Sequence, residues 1–273
     1  MGRKAQRNCR VRGMTMRSPL VLTAAVLVLA VSVGTGRAAI IHVPDDQPTI
    51  QLGIGSASSG DTVLIAPGTY TETLDFHGKA VTVGGRYLIT GNPAAIDSTV
   101  IDGGGVRGPL VTFTSGEDSL SVLAGLTLEN GSALRGAGVL CDLSSPRIVS
   151  CSFRSNEALS DGGGIYADES SPIVELCTFD VNTATNHSGG GFGVRYGSPR
   201  ITGCVFTGNV AHDEGGAIFS EECSAVITGN VIDGNTSAVT YAGGIMSRNC
   251  TSVIAGNVIT NNHTYGHGGG LFY

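Results

Sequence analysis

The sequence predicts an all-β solenoid, a stack of coils each made of three short strands and three turns. A short N-terminal helix is expected to cover its first coil. Three observations predict this. Copies of one segment recur from Ser145 on, opening Ser145-Pro146-Arg147-Ile148, Ser171-Pro172-Ile173-Val174, Ser198-Pro199-Arg200-Ile201, Ser224-Ala225-Val226-Ile227 and Thr251-Ser252-Val253-Ile254. Each copy runs on to an Asn (Asn156, Asn182, Asn209, Asn235, Asn262, spaced 26, 27, 26 and 27 apart) and then to a glycine knot such as Gly162-Gly163-Gly164 or Gly215-Gly216-Ala217. Within a copy the apolar residues alternate in short runs, as in Cys151-Ser152-Phe153, Cys177-Thr178-Phe179 and Cys204-Val205-Phe206.

A fixed period of this length means stacked supersecondary units, since one copy cannot bury its apolar face alone. Alternation broken by Gly, Asn, Ser and Pro reads as strands and turns, and nothing in the repeat sustains helical periodicity. A leucine-rich solenoid lacks its leucines here. Strands stacked about 4.8 Å apart place equivalent residues in ladders up the axis. Asn156, Asn182, Asn209, Asn235 and Asn262 form one such ladder, amide to amide. Asn130, 26 residues before Asn156, reads as its first rung, with Gly136-Ala137-Gly138 as the matching knot. The glycines mark tight bends or close backbone approach. No knot opens a helix in a G-x-G-x-x-G setting, which argues against a nucleotide loop.

In chain order, residues 1–39 stand apart. Arg3, Lys4, Arg7, Arg10, Arg12 and Arg17 precede the apolar run Pro19–Val33, and small residues follow up to Ala39. This reads as a cleaved secretory signal peptide, with translation starting at Met1, Met14 or Met16. A membrane anchor is the alternative, for which the apolar run is short; a lipoprotein signal would need a Cys after it. Domain 40–273 follows. Asp46 or Gln47 is expected to cap a short helix with Pro48 in its first turn and Ile50, Ile54 and Ala57 on one face. Gly53 and Gly55 weaken that helix by about 1 kcal/mol each. Thr62–Ile65, Leu74–Val83, Thr99–Ile101 and Leu110–Phe113 read as strands of irregular early coils, and regular coils run from about residue 119. The chain stops in mid-coil at Gly268-Gly269-Gly270-Leu271-Phe272-Tyr273. A longer protein, or self-association through this last coil, is the expectation.

Seven of the 16 basic residues and none of the 22 acids precede Ile40, which leaves 9 against 22, a net charge of −13 after cleavage. Such a surface repels nucleic acid and anionic membranes and suits divalent cations or neutral glycans. Cys151, Cys177 and Cys204 share one repeat position. Stacked side chains about 4.8 Å apart exceed the Cβ separation of a disulfide, about 3.5–4.5 Å, so these three read as a buried thiol ladder. Cys223 and Cys250, nearer a turn, are either a disulfide or two thiols. A zinc site would call for C-x-x-C or paired histidines, and neither is present. No cofactor is expected, with calcium the one candidate.

The turn before each knot is polar: Ser160-Asp161, Asn186-His187-Ser188, His212-Asp213-Glu214, Thr240-Tyr241 and Tyr265-Gly266-His267. The repeat aligns these into a stripe whose candidate binding residues are Asp161, His187, His212, Asp213, Tyr241 and His267. A linear glycan or calcium fits such a stripe; a row of solvated turns is the plainer reading.

The pairing of F-x-x-N (Phe153–Asn156, Phe179–Asn182, Phe206–Asn209) with G-G-[AGI]-[ILF] resembles the repeats of chlamydial polymorphic outer-membrane proteins. It is also similar to bacterial secreted right-handed parallel β-helix proteins of the pectin-lyase-like superfamily. Ile232 and Ile259 replace the Phe in the last two copies. The resemblance implies a right-handed single-stranded parallel β-helix and a secreted or outer-membrane-surface location. Its functional implication is a non-catalytic, adhesin- or passenger-like module that binds polysaccharide or a cell-surface glycan. The alternative it implies is a pectate-lyase-type lyase or a glycoside hydrolase acting on acidic polysaccharide. Asp161, Asp180, Asp213 and Glu214 would then supply acids and Arg195 or Arg200 the base. No two acids recur at ladder positions in adjacent coils on one strand face, which such a lyase would need.

Overall fold

The computed structural model describes residues 37–273, so the signal-peptide assignment falls almost wholly outside the described residues. The chain winds as a right-handed parallel β-solenoid with three long ladders. A nine-stranded sheet stacks Ile40–Val43, Thr62–Ile65, Thr82–Gly84 and Val122–Ala124, then Arg147–Val149 and its equivalents up to Val253–Ala255. An eight-stranded second sheet runs from Gly68–Tyr70 through Ser152–Arg154 and Thr178–Asp180 to Val258–Thr260. The third, also eight-stranded, runs from Leu74–Asp75 through Ile165–Asp168, Phe192–Arg195, Ile218–Glu221 and Ile245–Arg248 to Leu271–Phe272. Every pairing between these strands is parallel and in repeat register, for example Phe153 beside Phe179 and Phe179 beside Phe206. A fourth ladder of two-residue strands, Glu157–Ala158, Thr183–Ala184 and their equivalents, follows the Asn corner. The alternating pattern is too short there to announce a strand.

The core is a set of one-residue columns. Phe153, Phe179 and Phe206 stack face to face, with centroids 4.8 and 4.4 Å apart and planes 7° and 2° from parallel, and Ile232 continues the column. All are fully buried. Parallel register forces this offset stacking, since each ring sits one strand spacing above its copy. The glycine knot lets the backbones of successive coils touch. A Cβ on Gly164 would lie 2.5 Å from the Gly191 carbonyl oxygen and 2.9 Å from the Phe179 ring. Gly162, at φ 67°, takes the left-handed turn that begins the knot.

The Asn ladder is a continuous hydrogen-bonded column. Nδ2 of Asn156, Asn182, Asn209 and Asn235 donates to Oδ1 of the next Asn at 2.9, 3.0, 2.8 and 2.9 Å. Each acceptor also takes the backbone N–H of the Asn before it. Asn130 does not belong to this column. Its coil is one residue shorter, 25 rather than 26 from Val122 to Arg147, so the place beneath Asn156 falls to Gly131, whose N–H donates to Asn156 Oδ1. Asn130 instead takes φ 57° and donates to Asp102 on the surface.

Cys151, Cys177 and Cys204 are buried free thiols in one column. Their Sγ atoms are partnered: Cys177 Sγ accepts the Cys151 N–H and donates to the Glu175 carbonyl. That column passes into a second Asn ladder, in which Cys204 N–H donates to Asn230 Oδ1 and Asn230 Nδ2 to Asn257 Oδ1. Cys141 is buried in Val139–Asp142.

The N-terminal helix spans Ile50–Ser56, and its cap is Thr49, whose side chain accepts the Leu52 N–H. The expected caps Asp46 and Gln47 sit in the preceding turn, where Asp46 bonds His42 instead. Two distant charges complete the helix. Glu72 accepts the N–H groups of Ile50 and Gln51, and Lys79 Nζ donates to the carbonyls of Ile54, Gly55 and Ala57 at 2.8, 2.6 and 2.9 Å. Both complement the helix dipole. The run expected as one strand, Leu74–Val83, divides into Leu74–Asp75 and Thr82–Gly84 on two different sheets. A turn at His77 (φ 51°) and Gly78 separates them.

Candidate functional site

The third sheet turns its inward residues, such as Ile165, Phe192 and Ile218, to the core, and alternation sends the intervening residues outward. Register then builds two outward columns. One holds Leu140, Tyr166, Gly193, Phe219 and Met246; the other holds Asp142, Asp168, Arg195, Glu221 and Arg248, so that, contrary to the sequence reading, two acids (Asp142 and Asp168) do share a ladder position in adjacent coils. The polar turn preceding the knot lies alongside. There the backbone links Asp161 and its neighbours coil by coil: Gly162 N–H to Ser188, Gly189 N–H to Glu214, Gly215 N–H to Tyr241 and Ala242 N–H to His267. The stripe expected from the sequence is therefore one continuous edge, Asp161, Ser188, Glu214, Tyr241, His267, beside an outward sheet face.

Between edge and face runs a chain of seven charges. Asp168 faces Arg135 at 3.7 Å, Arg135 faces Asp161 at 3.7 Å, and Asp161 faces Arg195 at 3.8 Å. Arg195 faces Glu221 at 3.1 Å, Glu221 faces Arg248 at 3.1 Å, and Arg248 pairs with Glu214. Aromatic rings lie beneath the guanidinium groups: Arg135 is 5.2 Å from the Tyr166 centroid, and Arg195 and Arg248 are each 5.7 Å from that of Phe219. Gly193, between these rings in the column, makes room for the Tyr166 ring, whose Cδ2 would lie 3.2 Å from a Cβ there.

Three of the four buried side-chain polar atoms without a hydrogen bond, among the described residues, meet here: Tyr166 OH, Arg135 Nε and Arg195 Nε. Arg195 Nε faces Glu221 at 3.1 Å without hydrogen-bond alignment. Buried unpartnered donors are uncommon because each costs about 1–3 kcal/mol. Tyr166 is only 1% exposed. Burial first, and then Asp168, pushes its phenol up to about 12, so the group remains a donor. Burial works against the charge on Arg195, but Asp161 foremost, with Tyr166, Glu221 and Asp168, raises its pKa. Asp161 itself, 1% exposed, accepts from Ser160 Oγ and the Ser188 N–H.

Two small clefts open along this line. One, of about 220 Å³, is lined by Pro109, Arg135, Leu140, Asp142, Tyr166 and Asp168. The other, of about 280 Å³, is lined by His187, Arg195, Asp213, Glu214, Phe219 and Arg248. His187 and His212 both face Asp213, at 3.8 and 2.8 Å. Tyr241 stacks on His267, and its ring lies 4.6 Å from that of Phe272.

Of the residues singled out from the sequence, Asp161, His187, His212, Asp213, Glu214, Arg195, Tyr241 and His267 come together on this side. Asp180 does not. It lies on Thr178–Asp180 of the second sheet, exposed, accepting from Thr207. Arg200 likewise sits on the first sheet. Sequence reasoning missed Arg135, Tyr166, Asp168, Phe219, Glu221 and Arg248. Their signal was the recurrence, just after each knot, of the pairs Tyr166/Asp168, Gly193/Arg195, Phe219/Glu221 and Met246/Arg248. Among the described residues no three His, Cys, Asp or Glu side chains converge as a metal site.

The fold and this geometry define a right-handed parallel β-solenoid with one chemically distinct face. Residues 137–272 match the family model for a right-handed β-helix region. No curated protein and no solved structure matches the chain.

Proposed function

We propose that this chain is a non-catalytic, secreted or outer-surface β-helix module. On this reading, the groove between the third sheet and its polar edge binds a linear, neutral polysaccharide. The observation that carries the proposal is the convergence of Tyr166 OH, Arg135 Nε and Arg195 Nε, buried and unpartnered. The partly exposed Arg135 and Arg195 side chains then shift on binding and bring these donors to a sugar hydroxyl or ring oxygen, which supplies the acceptors they lack. Tyr166 and Phe219, buried beneath the guanidinium groups, form the apolar floor of the groove. Coils rise about 4.8 Å each, close to one pyranose residue of an extended chain, so a polymer meets equivalent columns at every step. Counting Asp142 and Asp213, the groove holds six carboxylates against three arginines, a balance that disfavours polyanionic chains.

The test is titration calorimetry of the purified chain with neutral glucans, mannans and xylans, and with uronic-acid polymers with and without calcium. Binding of a neutral polymer that Arg195→Ala abolishes supports the proposal. Uptake of uronates only with calcium, or release of unsaturated sugars, would establish the lyase-type alternative instead. Absence of any glycan binding would sink both.

A further inference from the structure

On the corner between the third and first sheets, two residues past the charged column of Glu221 and Arg248, a column runs through the residue after each left-handed turn. Leu143, Glu169, Tyr196, Glu222 and Asn249 take φ of 51°, 44°, 55°, 49° and 52°. The residues that follow them are Ser144, Ser170, Gly197, Cys223 and Cys250. In the serine rungs the side chain is a coil-to-coil acceptor: Ser144 N–H donates to Ser170 Oγ at 3.0 Å. The cysteines take the same role, Cys223 N–H donating to Cys250 Sγ at 3.3 Å. The sulfur column adds something that serine cannot. Cys223 Sγ lies 3.1 Å from Cys250 Sγ, with both thiols free.

We infer that Cys223 and Cys250 are a disulfide-forming pair, a covalent brace between adjacent coils made by exchange with a small-molecule or protein disulfide donor. Forming the bond means closing about 1 Å, toward the usual length of about 2.05 Å. Both residues sit at a corner, where side-chain rotation supplies that movement. Access separates this pair from the other cysteines. Cys141, Cys151, Cys177 and Cys204 are at most 1% exposed, whereas Cys223 is 7% exposed and Cys250 only half-buried. Cys223 also lines an open cleft of about 630 Å³ with Tyr196, Glu222 and Asn249.

The order of events follows from access. The Cys250 thiolate attacks one sulfur of the donor disulfide and expels a donor thiolate, leaving a mixed disulfide. Cys223 then attacks the Cys250 sulfur and expels the second donor thiolate. The two protons from Cys223 and Cys250 end on the expelled thiolates, so the donor leaves as two thiols. Burial first, and then Cys250, pushes the Cys223 thiol up to about 12. This keeps it from making the first attack and leaves its own attack to the intramolecular step, where the 3.1 Å approach of the two sulfurs favours it.

The experiment treats the reduced, full chain with oxidised glutathione at pH 8, followed by thiol counting and non-reducing peptide mapping. The expected result is loss of two thiols, one cross-linked peptide joining Cys223 to Cys250, and a thermal midpoint several degrees above that of the reduced protein. Cys223→Ser and Cys250→Ser, each installing the residue found at Ser144 and Ser170, should abolish both cross-link and shift. Retention of all thiols, a persistent glutathione adduct on Cys250, or linkage of either residue to another cysteine or a second chain would overturn the inference. Thiol counting and peptide mapping read the cross-link directly, whatever the groove binds.

Discussion

Asn209 is the place to test whether the amide column holds the coils together. It is fully buried. Its Nδ2 donates to the Phe179 carbonyl at 2.9 Å and to Asn235 Oδ1 at 2.8 Å; its Oδ1 accepts both the N–H and the Nδ2 of Asn182, each at 3.0 Å. Asn209→Ala leaves the Phe179 carbonyl and two Asn182 donors without partners in a dry corner. At about 1–3 kcal/mol per buried orphan, partly relieved by relaxation, the loss should be about 3–6 kcal/mol. That is a large share of a stability of about 5–15 kcal/mol. Asn130→Ala is the control. The repeat spacing gives Asn130 the same status, yet it lies on the surface bonded to Asp102. Its loss should therefore be about 1 kcal/mol, set by the left-handed φ of 57° that alanine tolerates less well than asparagine. Urea unfolding followed by circular dichroism, with midpoints compared at constant m-value, measures both. Equal costs for the two variants, or less than about 1 kcal/mol for Asn209→Ala, would refute the column as a stabilising element.

Lys79→Met should destabilise the protein by about 2 kcal/mol by freeing three helix-end carbonyls, and hydrogen exchange in Ile50–Ser56 should quicken. At Glu117 burial pushes the pKa up, but N–H donors from Ser115 and Gly78 and the Ser144 hydroxyl outweigh it and hold it low. Its stabilisation is therefore present above the ordinary carboxylate range and lost as pH falls through the lowered folded value. Glu117→Gln should flatten the acid limb of a melting-temperature profile below about pH 4. Tyr166→Phe removes an unpartnered hydroxyl, so unliganded stability should hold or rise by up to about 1 kcal/mol, while glycan affinity in calorimetry falls. A loss of stability in that variant would show that the hydroxyl has a structural partner.

Where every coil has the same length, the sequence was a sufficient guide to the fold. The Phe column, the Asn column from Asn156 on and the knots are each one residue type at one spacing. Legibility failed where a column changes chemistry or a coil changes length. Asn230 and Asn257 continue the Cys151–Cys204 column, yet Cys and Asn share no pattern on paper; what they share is a side-chain acceptor for the N–H of the coil before. Asn130 kept the spacing but lost the register to a coil one residue short. Thr49 displaced Asp46 and Gln47 as helix cap because Asp46 was already bonded to His42. At the candidate site the polar edge was legible because turns are polar. The sheet face beside it was not, because a buried Tyr166 or Phe219 in a strand looks like core until the alternation shows that it points outward.

The charge chain bears on which polymer the groove suits. Acids that hold a divalent cation against a uronate need lone pairs free to coordinate it. Here Asp161 faces two arginines and two hydrogen-bond donors, Glu221 faces two arginines, and Glu214 is paired with Arg248. Arg135 and Arg195 each face one acid through a terminal nitrogen and another through Nε, but Nε of Arg135 toward Asp161 and of Arg195 toward Glu221 makes no hydrogen bond. Pairing with partly exposed arginines lets Asp161 and Glu214 sit buried. Within the charge chain, Tyr166 OH and Nε of Arg135 and Arg195 are left as buried donors without a hydrogen-bond partner. Such donors suit the uncharged, hydroxyl-rich, ring-shaped repeat proposed above. They also place the weight of recognition on geometry, so the salt dependence of binding should be slight.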